Sequence, residues 1–154
     1  MRVLGYHPLA DLFPLVEGDE FEQFVASIRD GGQRETIVLY EGQILDGRNR
    51  FRACLEAGIE PRMEDFTGDD PVRFVIDKNI NRRHLNESQR ALIAAQIAQM
   101  KPGDNQHTSE VSGKPGTSLR QAAQLLQVDP DTVSLARKVL NHGTAEEVAA
   151  VRSG

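Results

Sequence analysis

"LDGRNRFRACLEAG", residues 45–58, decides how the front of this chain folds. Leu45 ends an apolar pair and Asp46-Gly47 breaks it. From Arg48 onward the apolar residues Phe51, Cys54 and Leu55 return at helical spacing until Gly58 closes the segment. The stretch therefore predicts a strand, a tight turn and a helix. Three arginines, Arg48, Arg50 and Arg52, crowd into five positions at the mouth of that helix. Cations there oppose the helix macrodipole, at about 0.3–1 kcal/mol each, and an anion bound at the same place would remove that cost. The plainer reading is a solvated helix start in which the arginines pair with Glu56 or Asp46.

Outward from this stretch the periodicity stays legible. Upstream, "DEFEQFVASIRDGG" (19–32) sets Phe21, Phe24, Val25 and Ile28 on one helical face, with Gly31-Gly32 as the stop. "ETIVLYEGQILDG" (35–47) reads as two short strands around a Glu41-Gly42 hairpin turn. Downstream, "IEPRMEDF" (59–66) predicts a strand. Asp69, Asp70 and Pro71 then open a helix with Val72, Phe74, Val75 and Ile80 inward. In "NESQRALIAAQIAQM" (86–100) Asn86 is a good N-cap, and Leu92, Ile93, Ile97 and Met100 form the apolar stripe.

The segment "KPGDNQHTSEVSGKPGTS" (101–118) holds three glycines, two prolines and almost nothing apolar, the composition of an exposed, mobile loop. Beyond it, one apolar face runs through Leu119, Ala122, Ala123 and Leu126 and another through Val133, Ala136 and Leu140. They are joined by "QVDP", where Asp129 can cap and Pro130 suits a first helical turn. That is a helix-turn-helix pattern. Thr144 with Glu147 three residues on begins a third helix as a capping box.

Charge and cysteine usage narrow the class. The 154 residues carry a net charge of −5, so the chain cannot coat nucleic acid by bulk attraction. Its basic character is local, since residues 77–101 hold five Lys and Arg against two acids, whereas residues 1–76 hold eight against fifteen. One cysteine permits no internal disulfide, and neither a signal peptide nor an apolar run of membrane-spanning length is present, so the expected compartment is the cytoplasm, with no membrane partner. His7, His84, His107 and His142 lack metal-ligand spacing, and no P-loop or dinucleotide glycine motif occurs. Cys54 sits at an apolar helical position as a small core residue.

Two segments then resemble a family. "GRNRFRA" (47–53) is similar to the Gly-Glu-Arg-Arg-x-Arg-Ala motif of ParB-like proteins, and "KNINRRHL" (78–85) is similar to their Glu-Asn-Ile-Gln-Arg-x-x-Leu motif. The two stand in the family's order between a helix ending in "SIRDGG" and a helix-turn-helix. The resemblance implies an α+β N-terminal domain of the ParB/sulfiredoxin fold over 1–85, a connecting helix over 86–101, a flexible loop over 102–117 and an all-α helix-turn-helix domain over 118–154. It implies a DNA-binding homodimer of the partition (chromosome or plasmid) or transcription-regulating type.

The resemblance also implies a basic site for nucleotide phosphates, usually those of CTP, made by Gly47, Arg48, Asn49, Arg50 and Arg52 with Asn79, Arg82 and Arg83. Here the chain departs from the pattern. Asn49 stands where a phosphate arginine is usual, and Arg48 where the glutamate is. Asn79 matches the family's Mg²⁺-holding asparagine, but Lys78 replaces the metal-binding glutamate and has no lone pair to offer a cation. The expected site is thus degenerate, weak or altered for CTP and doubtful for Mg²⁺. For Arg82, Arg83 and His84 the plainer reading is a charged exposed turn.

Relatives of this domain include a serine kinase and nucleases, so an enzyme is the alternative, a weak CTP hydrolase among them. Its candidate carboxylates are Glu35 and Asp46. Cys54 lacks the Gly-Gly-Cys-His-Arg setting of sulfiredoxin catalysis. A partner-docking regulator that binds no DNA is the third reading. On the DNA-binding reading, Thr132, Ser134, Arg137 and Lys138 are the residues expected to reach bases and phosphates, with a packing-only helical hairpin as the alternative.

Overall fold

A computed structural model describes residues 4–80, 84–100 and 117–154. The chain divides into two compact units, one reaching Pro71 and the other starting at Val72. The sequence reading drew its boundary at 85/86. The helix over Glu87–Gln99, read from the sequence as a connecting helix, packs against every later helix of the second unit.

The first unit opens with a 3-10 turn over Ala10–Leu12, followed by α1 (Gly18–Gly31), β1 (Ile37–Tyr40), β2 (Gln43–Asp46), α2 (Arg48–Ala57) and β3 (Met63–Asp65). The strands form one sheet in the order β2-β1-β3. β1 and β2 are antiparallel, with Leu39 opposite Ile44 and Tyr40 opposite Gln43. Glu41 and Gly42 both take positive φ, 53° and 73°, the backbone a two-residue hairpin turn needs. β3 joins β1 in parallel, Ile37 beside Met63, so α2 is the connection that carries the chain from one edge of the sheet to the other. The segment before the 3-10 turn lies along β2, where His7 N–H donates to the Ile44 carbonyl and Ile44 N–H to the Gly5 carbonyl.

Two faces of α2 are buried, and this places it. Phe51 enters a cluster with Ile37 and Ile44 over the sheet, while Ala53 and Cys54 pack against Val25 and Ile28 of α1, with Phe21 and Phe24 at the edge. Gly32 (φ 72°) ends α1 by donating its N–H to the Ile28 carbonyl, the stop expected from Gly31-Gly32. Gln33, which nothing in the periodicity singles out, is buried and fully used. Its amide nitrogen donates to the Glu35 and Arg62 carbonyls, and its Oε1 accepts from Arg62 N–H at 2.6 Å. Arg62 in turn donates to the Gln33 carbonyl. A buried amide satisfied on both sides locks the approach to β1 against that to β3.

The second unit comprises α3 (Pro71–Ile80), α4 (Glu87–Gln99), α5 (Leu119–Leu126), α6 (Pro130–His142) and α7 (Ala145–Ser153). In α3 the buried residues include Val72, Val75 and Ile76, whereas Phe74 and Ile80, expected inward, are only half-buried. α4 buries Ala91, Leu92, Ile93, Ala94, Ala95 and Ile97, which is burial on nearly all sides rather than the expected stripe. Its three alanines let α5 and α6 approach closely, and a helix apolar all round belongs in a core. Asn86, Ser118 and Thr144 each close a capping box, with Gln89, Gln121 and Glu147. The expected 102–117 loop lies outside the described residues apart from Thr117. No described helix is long and apolar enough to cross a membrane.

Candidate functional site: the arginine-bearing turn of α2

α2 starts at Gly47, whose φ of 95° no L-residue adopts readily and whose lack of a side chain leaves the helix without a side-chain cap. The Gly47 carbonyl accepts from Phe51 N–H at 2.8 Å, the first bond of the helix. Arginines at 48, 50 and 52 look like a cluster in the sequence. On a helix they separate: Arg48 and Arg52 are one turn apart on the same side, and Arg50 projects from the opposite side, about 200° away.

Each head finds protein acceptors in its own sector. Arg48 donates through Nη1 to Asp11 Oδ1 and through Nη2 to the Phe13 carbonyl, both at 2.5 Å, with Tyr6 facing its guanidinium at 5.5 Å. Arg52 donates to the Val16 carbonyl at 3.0 Å and lies 4.2 Å over the Phe21 ring. Asn49 completes that side by accepting from Val16 N–H at 3.1 Å. On the other side Arg50 donates to the Thr36 carbonyl at 2.9 Å and to Glu35 Oε2 at 2.5 Å. The side chains of Arg48 and Arg50 are only 10% and 11% exposed. Burial lowers the Arg48 pKa from the ordinary arginine value, with Asp11 and Tyr6 opposing and Arg52 adding to the effect, yet an arginine so placed keeps its charge.

This is not the solvated helix start weighed from the sequence. The arginines are not solvated, and their carboxylate partners are Asp11 and Glu35 rather than Glu56 or Asp46. Asp11 is 37 residues from Arg48, a separation over which no periodicity carries a signal. What the geometry does chemically is fasten: α2 holds residues 11–16 with one side and the 35–36 link with the other. The two candidate carboxylates of a hydrolase have different surroundings. Glu35 is committed to Arg50, and Asp46 is the half-buried last residue of β2.

From the second motif, Asn79 lies in the second unit and donates its side-chain amide to the Val75 carbonyl at 2.8 Å. Lys78 is exposed, its Nζ 5.8 Å from the Phe74 ring. Arg82 and Arg83 lie outside the described residues. Among the described residues no group of three or more His, Cys, Asp or Glu could hold a metal.

Cys54 is fully buried, its Sγ 3.7 Å from Gln33 Oε1. Burial pushes its thiol pKa up, with the Arg50 charge pulling the other way. A raised thiol pKa means that the native state holds its proton longer than the unfolded state does. The fold therefore loses stability as pH rises above the unfolded thiol value of about 8.5. Near pH 8 a thiol reagent should label the native chain many-fold more slowly than the urea-unfolded chain, and equal rates would place Cys54 at the surface.

In the second unit, α5 and α6 are joined through Gln127, which takes φ 53°, and Asp129, whose side chain accepts from Asp131 N–H at 2.8 Å ahead of Pro130. Ala122, Ala123, Leu126, Val133 and Ala136 are buried. Of the expected DNA-facing residues, Arg137 and Lys138 are exposed, and Thr132 and Ser134 are half-buried. Thr132 and Arg137 stand on opposite flanks of α6, about 140° apart. The outward stripe includes a residue the sequence reading passed over, Leu135, which is 61% exposed.

No family model matches the chain. It is 25% identical over 127 residues to the protein named "Probable chromosome-partitioning protein ParB" of Coxiella burnetii, a match that takes in 78% of this chain and 44% of that protein. The chain therefore spans less than half the length of this relative. The crystal structure of the C-terminally truncated chromosome-partitioning protein ParB from Caulobacter crescentus complexed with CTP-γ-S compares at 20% identity and a TM-score of 0.44, over 98% of this chain and 81% of that one. With two motifs in family order on an α+β fold, the chain is similar to ParB proteins over most of its own length.

Proposed function

We propose that the chain is a DNA-binding protein of the partition or transcription-regulating kind, in which α5 and α6 act as a helix-turn-helix and α6 enters the major groove, working as a homodimer. The observation that carries this reading is the division of α6 into two faces. Val133 and Ala136 are buried, and both helices pack on α4, while Arg137 and Lys138 stand exposed beyond a short, capped turn. A helix anchored on one side, with cations and small polar groups on the rest, is built to lie against a polyanion. The unit's balance of four Lys and Arg against four acids over 118–154 limits affinity, so specific contacts must supply more of it.

The test is fluorescence anisotropy against a selected DNA pool at several salt concentrations. Arg137→Ala with Lys138→Ala should weaken binding and flatten the salt dependence by about one unit of slope per lost phosphate contact, with the melting temperature almost unchanged. A wild type that selects no sequence, matched by the double variant, overturns the reading in favour of a partner-docking regulator.

Nucleotide binding at Gly47, Arg48, Asn49, Arg50 and Arg52 is favoured by the uncapped start of α2 and its concentration of cations, and it is weakened by their present use. For Arg48 and Arg50 to reach a phosphate they must leave Asp11 and Glu35. CTP and related nucleotides should therefore bind weakly in calorimetry, with no gain from Mg²⁺. Tight, Mg²⁺-dependent CTP binding would show that the arginine partners give way readily. No catalytic step is assigned.

A further inference from the structure

We infer that Leu135 reads a thymine methyl group, and so is a specificity-determining residue of α6. This rests on the reading of α6 as the helix that enters the major groove.

Leu135 is the most exposed large apolar side chain among the described residues, at 61%, although the other apolar residues of α5 and α6 are buried or half-buried. Its position is not accidental within the helix. Asp131, Leu135, Lys138 and His142 fall at i, i+4, i+7 and i+11, one stripe that points directly away from the side buried through Val133 and Ala136. All three of its companions on that stripe are exposed and polar.

An isolated leucine in such a setting is a poor seat for a protein. It exposes on the order of 100 Å², against the roughly 1,200–2,000 Å² that a specific protein–protein interface buries, and its apolar neighbour one turn on, Val139, is half-buried and adds little to the patch. In the major groove it has a partner of its own size. The thymine C5-methyl is the apolar group that base edges present there, and an apolar side chain is its recognition element. Lys138, a turn further along, supplies a cation for the adjoining phosphate. Arg137 and Lys138 cannot themselves distinguish thymine from other bases by this means, because they carry only donors.

Deoxyuridine keeps the hydrogen-bonding edge of thymine and lacks only the methyl, so it isolates the contact. The experiment takes the sequence selected by the full chain and replaces each thymine in turn with deoxyuridine, for wild type and for Leu135→Ala, with thermal melts and sedimentation of both. The expected result is one position at which uridine weakens wild-type binding about fourfold, what burial of one methyl group contributes, and at which Leu135→Ala binds thymine and uridine alike, with unchanged melting. If wild type selects a sequence but no thymine penalty disappears in Leu135→Ala, the inference fails while the DNA-binding reading stands. If Leu135→Ala instead alters the association state and leaves every uridine penalty in place, Leu135 belongs to a contact between copies and the inference fails again. If wild type selects no sequence at all, both the inference and the reading beneath it fall.

Discussion

Alanine at position 47 should cost the first unit about 3 kcal/mol, the sum of a left-handed backbone forced on an L-residue and an overpacked contact. Gly47 holds φ at 95°, and a Cβ there would lie 2.8 Å from Arg50 Nη1, 3.2 Å from Ile37 Cγ1 and 3.4 Å from Ile37 Cα. Arg50 cannot simply swing aside, because the same Nη1 donates to the Thr36 carbonyl. Ile37 cannot give either, being fully buried at the start of β1. The control is Gly42→Ala: its φ of 73° carries the backbone strain, but nothing lies within 4 Å of the added methyl, so about 1 kcal/mol is expected. Urea denaturation of the two variants separates the terms. Equal losses would mean that the contact with Ile37 and Arg50 relaxes freely and that Gly47 is chosen for its backbone alone.

The larger effect belongs to the second unit. Val133→Asp places a carboxylate at a fully buried position between α6 and its neighbours, where desolvation without a partner costs about 4–5 kcal/mol. α5 and α6 should lose their structure together, because Leu126 and Ala122 lose the same core. The sheet of the first unit has its own clusters and should persist. Hydrogen exchange resolved by segment reads this directly. Protection should vanish over residues 119–142 and remain over 37–46, and uniform loss across the chain would show that the two units fold as one.

Much of this architecture was legible because its signals are local. Asp46-Gly47, Glu41-Gly42 and Gly58 announce turns by backbone need. The spacing of Phe51 and Cys54 announces a helix, and Asn86, Asp129 and Thr144 announce helix starts by their own side chains. What escaped was tertiary. α4 reads as a stripe because Ala91, Ala94 and Ala95 are neutral in any apolar pattern, yet those alanines are what let its neighbours close around it. Arginines at alternate positions read as one cationic cluster, although 100° per residue sends them to opposite sides of α2. Their partners at Asp11 and Glu35 belong to other segments. Leu135 escaped for a different reason: in a helix rich in leucine and valine, an exposed leucine cannot be told from a core one until the core is seen.

The way the arginines of α2 are received has a consequence for how sequences of this type can drift. Three of their acceptors are main-chain carbonyls, those of Phe13, Val16 and Thr36, and a carbonyl is the same whatever side chain its residue bears. The restraint is therefore one-sided. Exchange at 13, 16 or 36 leaves the arginine's bond intact, whereas exchange of the arginine removes a forked donor that lysine cannot reproduce. Pairwise comparison of substitutions would find little correlation between these positions, although the physical link is direct. In a record of change Arg48 and Arg50 would show only their carboxylate partners, Asp11 and Glu35, and the carbonyl bonds that complete each site would leave no trace.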